Sequence, residues 1–172
     1  MLSAGVNDFL KTYDLKGPNF EDTPRRVSKM WDNFFKGDSE LDIRTFPLQG
    51  PAGMIIFKDH EDWGFCPHHL LPVKYNFKIG YIPRGEVLGA SKPLRIASKV
   101  LRSLPLQEDI GEEIVNTILK FIDVRGAGVV IKGEHLCMRM RGIESPCSSM
   151  ITTFMYGDFL HDQSTREEFL LL

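Results

Sequence analysis

The order of strand-like and helix-like segments predicts an α+β domain. Residues 73–81 alternate apolar and polar side chains, which is the pattern of a half-buried strand. From residue 91 the apolar residues recur at helical spacing, in two stretches separated by Pro105, which a helix interior excludes. Strand-like sequence returns at residues 129–132 and 148–155. Strands, two helices and strands therefore follow one another in the predicted core.

The segments in front of this core are mostly helical in pattern. Apolar residues share one helical face over residues 6–13. Thr23 is expected to cap a second helix, because Pro24 suits a first helical position. Residues 54–58 form a weaker strand candidate before the sheet.

Composition excludes several classes of protein. The chain has 172 residues, a net charge of −2 and 42% apolar residues, which indicates a globular protein without a general affinity for nucleic acid or membranes. No apolar run approaches the roughly 20 residues that cross a bilayer, and the N-terminus lacks a signal-peptide pattern. Three cysteines do not make a disulfide framework, so we expect a cytoplasmic protein. We also expect one domain, with a helical part at 1–45 and a core at 46–172.

Two short segments hold most of the possible metal ligands. Cys66-Pro67-His68-His69 and His135-Leu136-Cys137 contain two of the three cysteines and three of the five histidines. If the second segment is a strand, His135 and Cys137 face the same way and could share one site. Thiolates and imidazoles are the usual ligands of zinc. A closed structural site with four protein ligands and a catalytic site with three both remain open, and the surplus of ligands favours the catalytic one.

Basic residues accompany these segments. Ser91 can cap the first core helix, and Lys92 and Arg95 lie in its first turns, where the free N–H groups suit a phosphate. Arg139 and Arg141 follow the second cysteine segment and would lie on the metal-facing side of a strand. An ordinary solvated basic surface is the alternative interpretation for each pair.

A carboxylate begins the second core helix. Gln107-Glu108 follows Pro105, and a glutamate in a first turn often serves only the helix dipole. A carboxylate also matches guanine, whose N1–H and 2-amino group are two parallel donors. Adenine lacks this pair and would leave the carboxylate unsatisfied, so Glu108 is a candidate reader of guanine.

Several ordered strings resemble GTP cyclohydrolase I, a family of the tunnelling-fold superfamily. The resemblance implies an antiparallel sheet with two antiparallel helices on one face, in the order ββααββ, preceded by N-terminal helices. It runs from about residue 23 to the end. The matching strings are Thr23-Pro24-Arg25-Arg26-Val27, Cys66-Pro67-His68-His69-Leu70-Leu71-Pro72, Gly89-Ala90-Ser91-Lys92, Gln107-Glu108, His135-Leu136-Cys137-Met138-Arg139-Met140-Arg141-Gly142 and Thr165-Arg166-Glu167-Glu168-Phe169-Leu170.

The resemblance implies a reaction and a role for each candidate residue. Zinc would activate water to attack C8 of the guanine of GTP, and ring opening, loss of formate and reclosure would give 7,8-dihydroneopterin triphosphate. The implied zinc ligands are Cys66, His69 and Cys137. The implied catalytic residues are His68, His135 and Ser91. The implied substrate ligands are Lys92, Arg95, Gln107, Glu108, Arg141 and Arg26.

The resemblance also implies assembly. The family closes its sheets between subunits and stacks two rings into a homodecamer, with active sites at subunit boundaries and Arg26 reaching a neighbour's site. This chain departs from the family pattern at Pro67, at Ala90 and over residues 103–109. The alternatives are a non-catalytic zinc- and nucleotide-binding homologue and another tunnelling-fold enzyme acting on a pterin or deazaguanine.

Overall fold

A four-stranded antiparallel sheet forms the centre of the chain that follows residue 40. The strands of the described residues are β1 (Thr45–Pro47), β2 (Ile55–Phe65), β3 (Pro72–Pro83), β4 (Glu86–Leu88), β5 (Val124–His135) and β6 (Met150–Gly157). The order in the four-stranded sheet is β2-β3-β5-β6, so β2 and β6 are its edges. A separate two-stranded sheet pairs β1 with β4.

Two helices, α3 (Lys92–Leu101) and α4 (Gln107–Leu119), contact each other and pack on the sheet. The core forms here because alternate residues of β3 and β5, among them Phe77 and Ile131, meet fully buried isoleucines of α4. The order β2, β3, α3, α4, β5, β6 confirms the predicted α+β fold class with its ββααββ core.

The last part of the chain adds short helices that the sequence did not predict. They are α5 (Leu136–Arg139), α6 (Asp158–His161) and α7 (Gln163–Leu171). Phe159 and Phe169 are fully buried and form a second apolar cluster with Ile82. Phe169 lies so close to Gly80 that an added Cβ there would stand 2.7 Å from its ring.

The computed structural model describes residues 1–37 and 41–172 and divides into two compact units, Met1–Ser39 and Glu40–Leu172. The first unit contains α1 (Leu2–Thr12) and α2 (Thr23–Lys36), which pack against each other. The prediction of Thr23 as an N-cap is wrong. Asp22 holds that position, and its carboxylate pairs with Arg25 and Arg26 and makes no side-chain cap bond.

Two further sequence expectations differ from the structure. Strand β2 extends to Phe65, well beyond the predicted residues 54–58. The sequence does not reveal the second half of the strand, because a register shift between Phe57 and His60 interrupts the alternation of its side chains. The segment that carries Cys137 is the single helical turn α5 rather than a strand. Within the described ranges, no helix is long and apolar enough to cross a membrane.

Candidate active site

The three predicted metal ligands come together. Cys66 follows the end of β2, His69 lies in the tight turn after it, and Cys137 lies in α5. Their ligand atoms are all within 4.8 Å of one another. The turn is closed by a hydrogen bond from the Leu70 amide to the Cys66 carbonyl, 2.8 Å, and Leu70 adopts a φ of 52°. This turn directs the cysteine and the histidine to the same point.

The spacing and chemistry of this group fit zinc. Cys66 Sγ lies 3.6 Å from His69 Nδ1. A tetrahedral ion with ordinary bonds to sulfur and nitrogen sets that distance at about 3.6 Å. Two thiols and one imidazole are a usual zinc donor set, and three protein ligands leave one position of a tetrahedron open.

The thiols lie in a partly desolvated place. Burial raises the pKa of the Cys137 thiol, the neighbouring Cys66 raises it further, and Arg141 opposes the shift less strongly. The Cys137 sulfur therefore favours its protonated form until a cation lies beside it. This coupling to a cation is what a thiolate metal site requires.

His68 lies beside the cluster without belonging to it. Its Nδ1 is 3.8 Å from Cys66 Sγ, and its ring centre is 6.2 Å from that of His69. The side chain is exposed. His68 is therefore available to solvent or a ligand next to the three grouped residues.

His135, the other predicted proton-transfer residue, ends β5 and lies near Glu108. Burial lowers the pKa of His135, and the charge of Glu108 partly offsets this effect. Tyr75 packs edge-on against the His135 ring at 6.1 Å between ring centres. Burial also raises the pKa of Tyr75, and the charges of Cys66, Cys137 and Glu108 add to that rise. These electrostatic interactions indicate that Glu108, the two cysteines and His135 lie close to one another.

Gln107, predicted as a substrate ligand, is buried among protein groups. The side chain is 3% exposed, and its Oε1 accepts a hydrogen bond of 2.8 Å from His135 Nε2. Its Nε2 donates to the Met150 carbonyl at 3.0 Å and contacts Ile131 O and Thr152 Oγ1 at 3.4 and 3.3 Å. Both ends of the amide therefore have protein partners, whereas the neighbouring Glu108 is exposed.

Arg141 is a basic residue that contacts one of the three candidate metal ligands. Its Nη1 lies 2.6 Å from His69 Nε2. Arg139 instead pairs with Glu134 at 3.0 Å and contacts the Ser148 carbonyl. The strand geometry expected for these two arginines is wrong, because the chain turns through α5 and sends the two side chains to different partners.

The remaining predicted site residues lie on other elements. Ser91 occupies the N-cap position of α3 without a side-chain cap bond. Lys92 donates to the backbone carbonyl of Asp42, and Arg95 lies in the first turns of the same helix. Arg26 belongs to the first unit, where its Nε bonds Asp22 at 3.0 Å. The structure thus gathers the predicted metal ligands with His68, His135, Glu108 and Arg141. The triphosphate ligands on α2 and α3 stay predictions.

A family model described as GTP cyclohydrolase I matches residues 3–172. The chain belongs to the GTP cyclohydrolase I family. Its similarity to "GTP cyclohydrolase 1" of Hydrogenobaculum sp. (strain Y04AAS1) is 39% identity over 171 residues, which cover 98% of this chain and 93% of the relative. The protein of the same name from Coxiella burnetii (strain Dugway 5J108-111) is 38% identical over 162 residues, 90% of this chain and 88% of its own.

Among solved structures, the apo form of "archaeosine synthase QueF-Like" is similar to this chain with a TM-score of 0.49 and 14% identity, covering 63% of this chain and 97% of that one. The family match confirms the predicted recognition and the predicted hydrolase class. Sequence reasoning missed Tyr75, Gly133 and Thr152, which surround His135 and Gln107. Their alternation within strands signals only which face of the sheet they occupy.

Proposed function

We propose that this chain hydrolyses the imidazole ring of the guanine of GTP, releases formate and forms 7,8-dihydroneopterin triphosphate. The convergence of Cys66, His69 and Cys137 beside His135 and Glu108 carries the proposal. Membership of the GTP cyclohydrolase I family supports GTP ring opening as a step of pterin biosynthesis. The non-catalytic alternative is not favoured, because the grouped ligands and both adjacent histidines are present.

Cys66, His69 and Cys137 would hold the zinc ion. Zinc held there would supply Lewis acidity, which activates water for attack on an electron-poor carbon such as C8 of a purine. The protein contribution is to fix three donors and leave space for the substrate. The contact of Arg141 with His69 supports Arg141 as a group that binds substrate next to the metal ligands.

Two histidines would move protons. His135 is neutral near neutral pH because burial lowers its pKa, so it can accept a proton there. His68 is exposed beside the metal ligands and can exchange protons with solvent. We assign His135 to the buried side of the substrate and His68 to its open side, where a ring nitrogen must gain a proton as the ring opens.

The substrate ligands follow from charge and hydrogen-bonding chemistry. Glu108 would accept from N1–H and the 2-amino group of guanine, which adenine cannot replace. Lys92, Arg95, Arg141 and Arg26 would bind the triphosphate, since α3 begins with free N–H groups beside two basic residues. Ser91, at the start of α3, would assist when the ribose carbons rearrange.

We further propose a homo-oligomer, a decamer of two pentamers, with active sites at subunit boundaries. Strands β2 and β6 are the edges of the four-stranded sheet. Each edge carries a large exposed apolar side chain, Trp63 at 54% and Ile151 at 64%. Edge strands with exposed apolar residues favour pairing with another chain.

The test is to give zinc-loaded protein GTP, with ATP as the control substrate, and to measure formate and pterin fluorescence. We expect stoichiometric formate and a pterin from GTP alone. Cys66→Ala and Cys137→Ala should each lose bound zinc and at least about 100-fold in turnover, because metal catalysis is lost. Cys147→Ala is the matched control, since Cys147 is exposed and outside the ligand group.

The result that contradicts the proposal is equally definite. Turnover by a zinc-free preparation would exclude the metal-dependent reaction. Unaltered turnover by His135→Ala would remove the catalytic role of that residue. Bound zinc and GTP without any turnover would favour the non-catalytic homologue.

A further inference from the structure

The orientation of one buried amide is determined by its surroundings. Gln107 Nε2 faces the carbonyl oxygens of Met150 and Ile131, which can only accept hydrogen bonds. The Thr152 hydroxyl donates to the backbone carbonyl of Gln107 at 3.4 Å, so its oxygen accepts from the side-chain amide nitrogen of Gln107 at 3.3 Å. A flipped amide would place its oxygen against two carbonyl oxygens. The amide oxygen must therefore face His135.

That orientation determines which nitrogen of His135 carries a proton. Gln107 Oε1 has no hydrogen to donate, and it lies 2.8 Å from His135 Nε2. The hydrogen bond forms only if Nε2 is protonated. We infer that Gln107 is a positioning residue that holds His135 in its Nε2–H tautomer and leaves the lone pair of Nδ1 free. This inference rests on the proposed function, in which His135 transfers protons.

The backbone leaves space for this contact. An added Cβ at Gly133 would lie 2.1 Å from Gln107 Oε1 and 3.1 Å from His135 Nε2. Only a residue without a side chain fits between the strand and the amide. Gln107 is therefore held by three elements at once: it begins α4, its oxygen contacts the end of β5, and its nitrogen bonds the start of β6.

The arrangement also fixes the orientation of the histidine ring. The hydrogen bond from Nε2–H to the Gln107 oxygen and the edge-on packing of Tyr75 both restrict rotation of the imidazole. Gln107 and Glu108 are adjacent in the first turn of α4, so one helix end would position both the proton acceptor and guanine.

The first test reads the tautomer directly. Magic-angle-spinning NMR of sedimented, zinc-loaded protein labelled with ¹³C,¹⁵N-histidine distinguishes the two neutral tautomers, and the His135→Ala spectrum identifies the signals of His135. We expect the Nε2–H tautomer in the wild type and a mixture in Gln107→Met, which keeps the side-chain volume but loses the acceptor. A wild-type Nδ1–H tautomer, or an unchanged tautomer in Gln107→Met, would overturn the inference.

The second test separates positioning from substrate binding. We expect Gln107→Met to lower kcat at least about tenfold while KM for GTP changes less than about twofold. Gln163→Met is the matched control, because Gln163 begins α7 on the surface, where its amide donates a hydrogen bond to Glu167. A raised KM with unchanged kcat would overturn the inference and make Gln107 a substrate ligand. Full activity of His135→Ala would instead refute the proposed role of His135, whatever tautomer the spectra show.

Discussion

At the scale of single residues, the absence of a side chain at position 133 is a testable requirement. Gly133→Ala would place a methyl group 2.1 Å from Gln107 Oε1. We expect a loss of about 1–3 kcal/mol in the free energy of unfolding from overpacking. We also expect a lower kcat, because the amide moves away from His135. Urea unfolding and steady-state kinetics measure the two effects.

Gly53, where an added Cβ would point into open space, provides the control for this substitution. Among residues 1–37 and 41–172, no atom other than those of its chain neighbours lies within 4 Å of a Cβ added at Gly53, and its backbone has no positive φ. Gly53→Ala should therefore leave both stability and kcat close to those of the wild type. A Gly133→Ala variant that behaves like Gly53→Ala would contradict the crowding described around Gln107.

Residue identities predicted the proposed metal ligands but not the proposed role of Gln107. Cysteine and histidine have few functions in a short cluster, so Cys66, His69 and Cys137 could be selected from the sequence and its family resemblance. A glutamine next to Glu108 is chemically ambiguous. Its burial depends on contacts with Ile131 of β5 and Met150 of β6, which lie 24 and 43 residues away in the sequence. Only the folded arrangement shows that its oxygen faces His135.

At the scale of elements, the contact between α4 and β6 depends on Gly111. A Cβ at Gly111 would lie 2.7 Å from Phe154 Cβ, so the helix and the strand could not keep their present separation. We expect Gly111→Ala to cost about 1–3 kcal/mol of unfolding free energy, despite the better helix propensity of alanine. Thermal and urea unfolding measure the loss.

Gly5 in α1 is the matched helical control. In the part of the chain that the structure describes, a Cβ at Gly5 meets no atom within 4 Å beyond its own helix backbone, so Gly5→Ala should be neutral or stabilise by up to about 1 kcal/mol. If both alanine variants were stabilised, the close packing of α4 on β6 would be wrong.

The start of α7 gives a pH-dependent prediction. The Asp162 carboxylate accepts from the Thr165 hydroxyl and, at 2.9 Å, from the Thr165 amide. These bonds hold the pKa of Asp162 below its usual value. A lowered folded-state pKa contributes stability above the unfolded pKa of about 3.9, and that contribution is lost as pH falls through the folded value.

Asp162→Ala should therefore lower the unfolding midpoint near neutral pH, and the difference from the wild type should shrink in acid. A pH series of thermal unfolding, monitored by circular dichroism, measures this difference. Asp8→Ala is a control on another helix, because Asp8 caps no helix end. A difference between Asp162→Ala and the wild type that stays constant below pH 4 would contradict the capping role.

Periodicity predicted those elements whose burial is regular. Strand β3 was predicted well because its residues alternate between core and opposite face over residues 73–79. The prediction of strand β2 is too short because Asp59, with a φ of 60°, lies at the register shift and breaks the alternation. Helices α5 and α6 are single turns, too short to produce a helical period.

At the scale of the whole molecule, proposed sharing of sites between subunits predicts complementation. Arg26→Ala and Cys137→Ala should each be nearly inactive at GTP concentrations below KM. If Arg26 completes the site of a neighbour, equal amounts of the two variants refolded together should regain about one quarter of wild-type activity. With random pairing, that share of sites receives an intact Cys137 from one chain and an intact Arg26 from the neighbouring chain.

The control for complementation is a mixture of Cys66→Ala with Cys137→Ala. Both residues belong to one ligand group within a chain, so this mixture should regain nothing. Sedimentation analysis should show a homo-oligomer for every variant. Failure of the Arg26 and Cys137 mixture, with assembly intact, would place Arg26 in the site of its own chain.

The proposed metal ligands lie on either side of a long-range strand pairing, and this has a kinetic consequence. Cys66 and His69 precede β3, Cys137 follows β5, and Val73 pairs with His135 where the two strands meet. The ion-binding group is therefore complete only after β3 and β5 have paired across the intervening helices. A pairing so distant along the chain forms slowly. Zinc bound to the finished group would slow unfolding without accelerating folding, so the supply of zinc would govern the lifetime of the folded subunit.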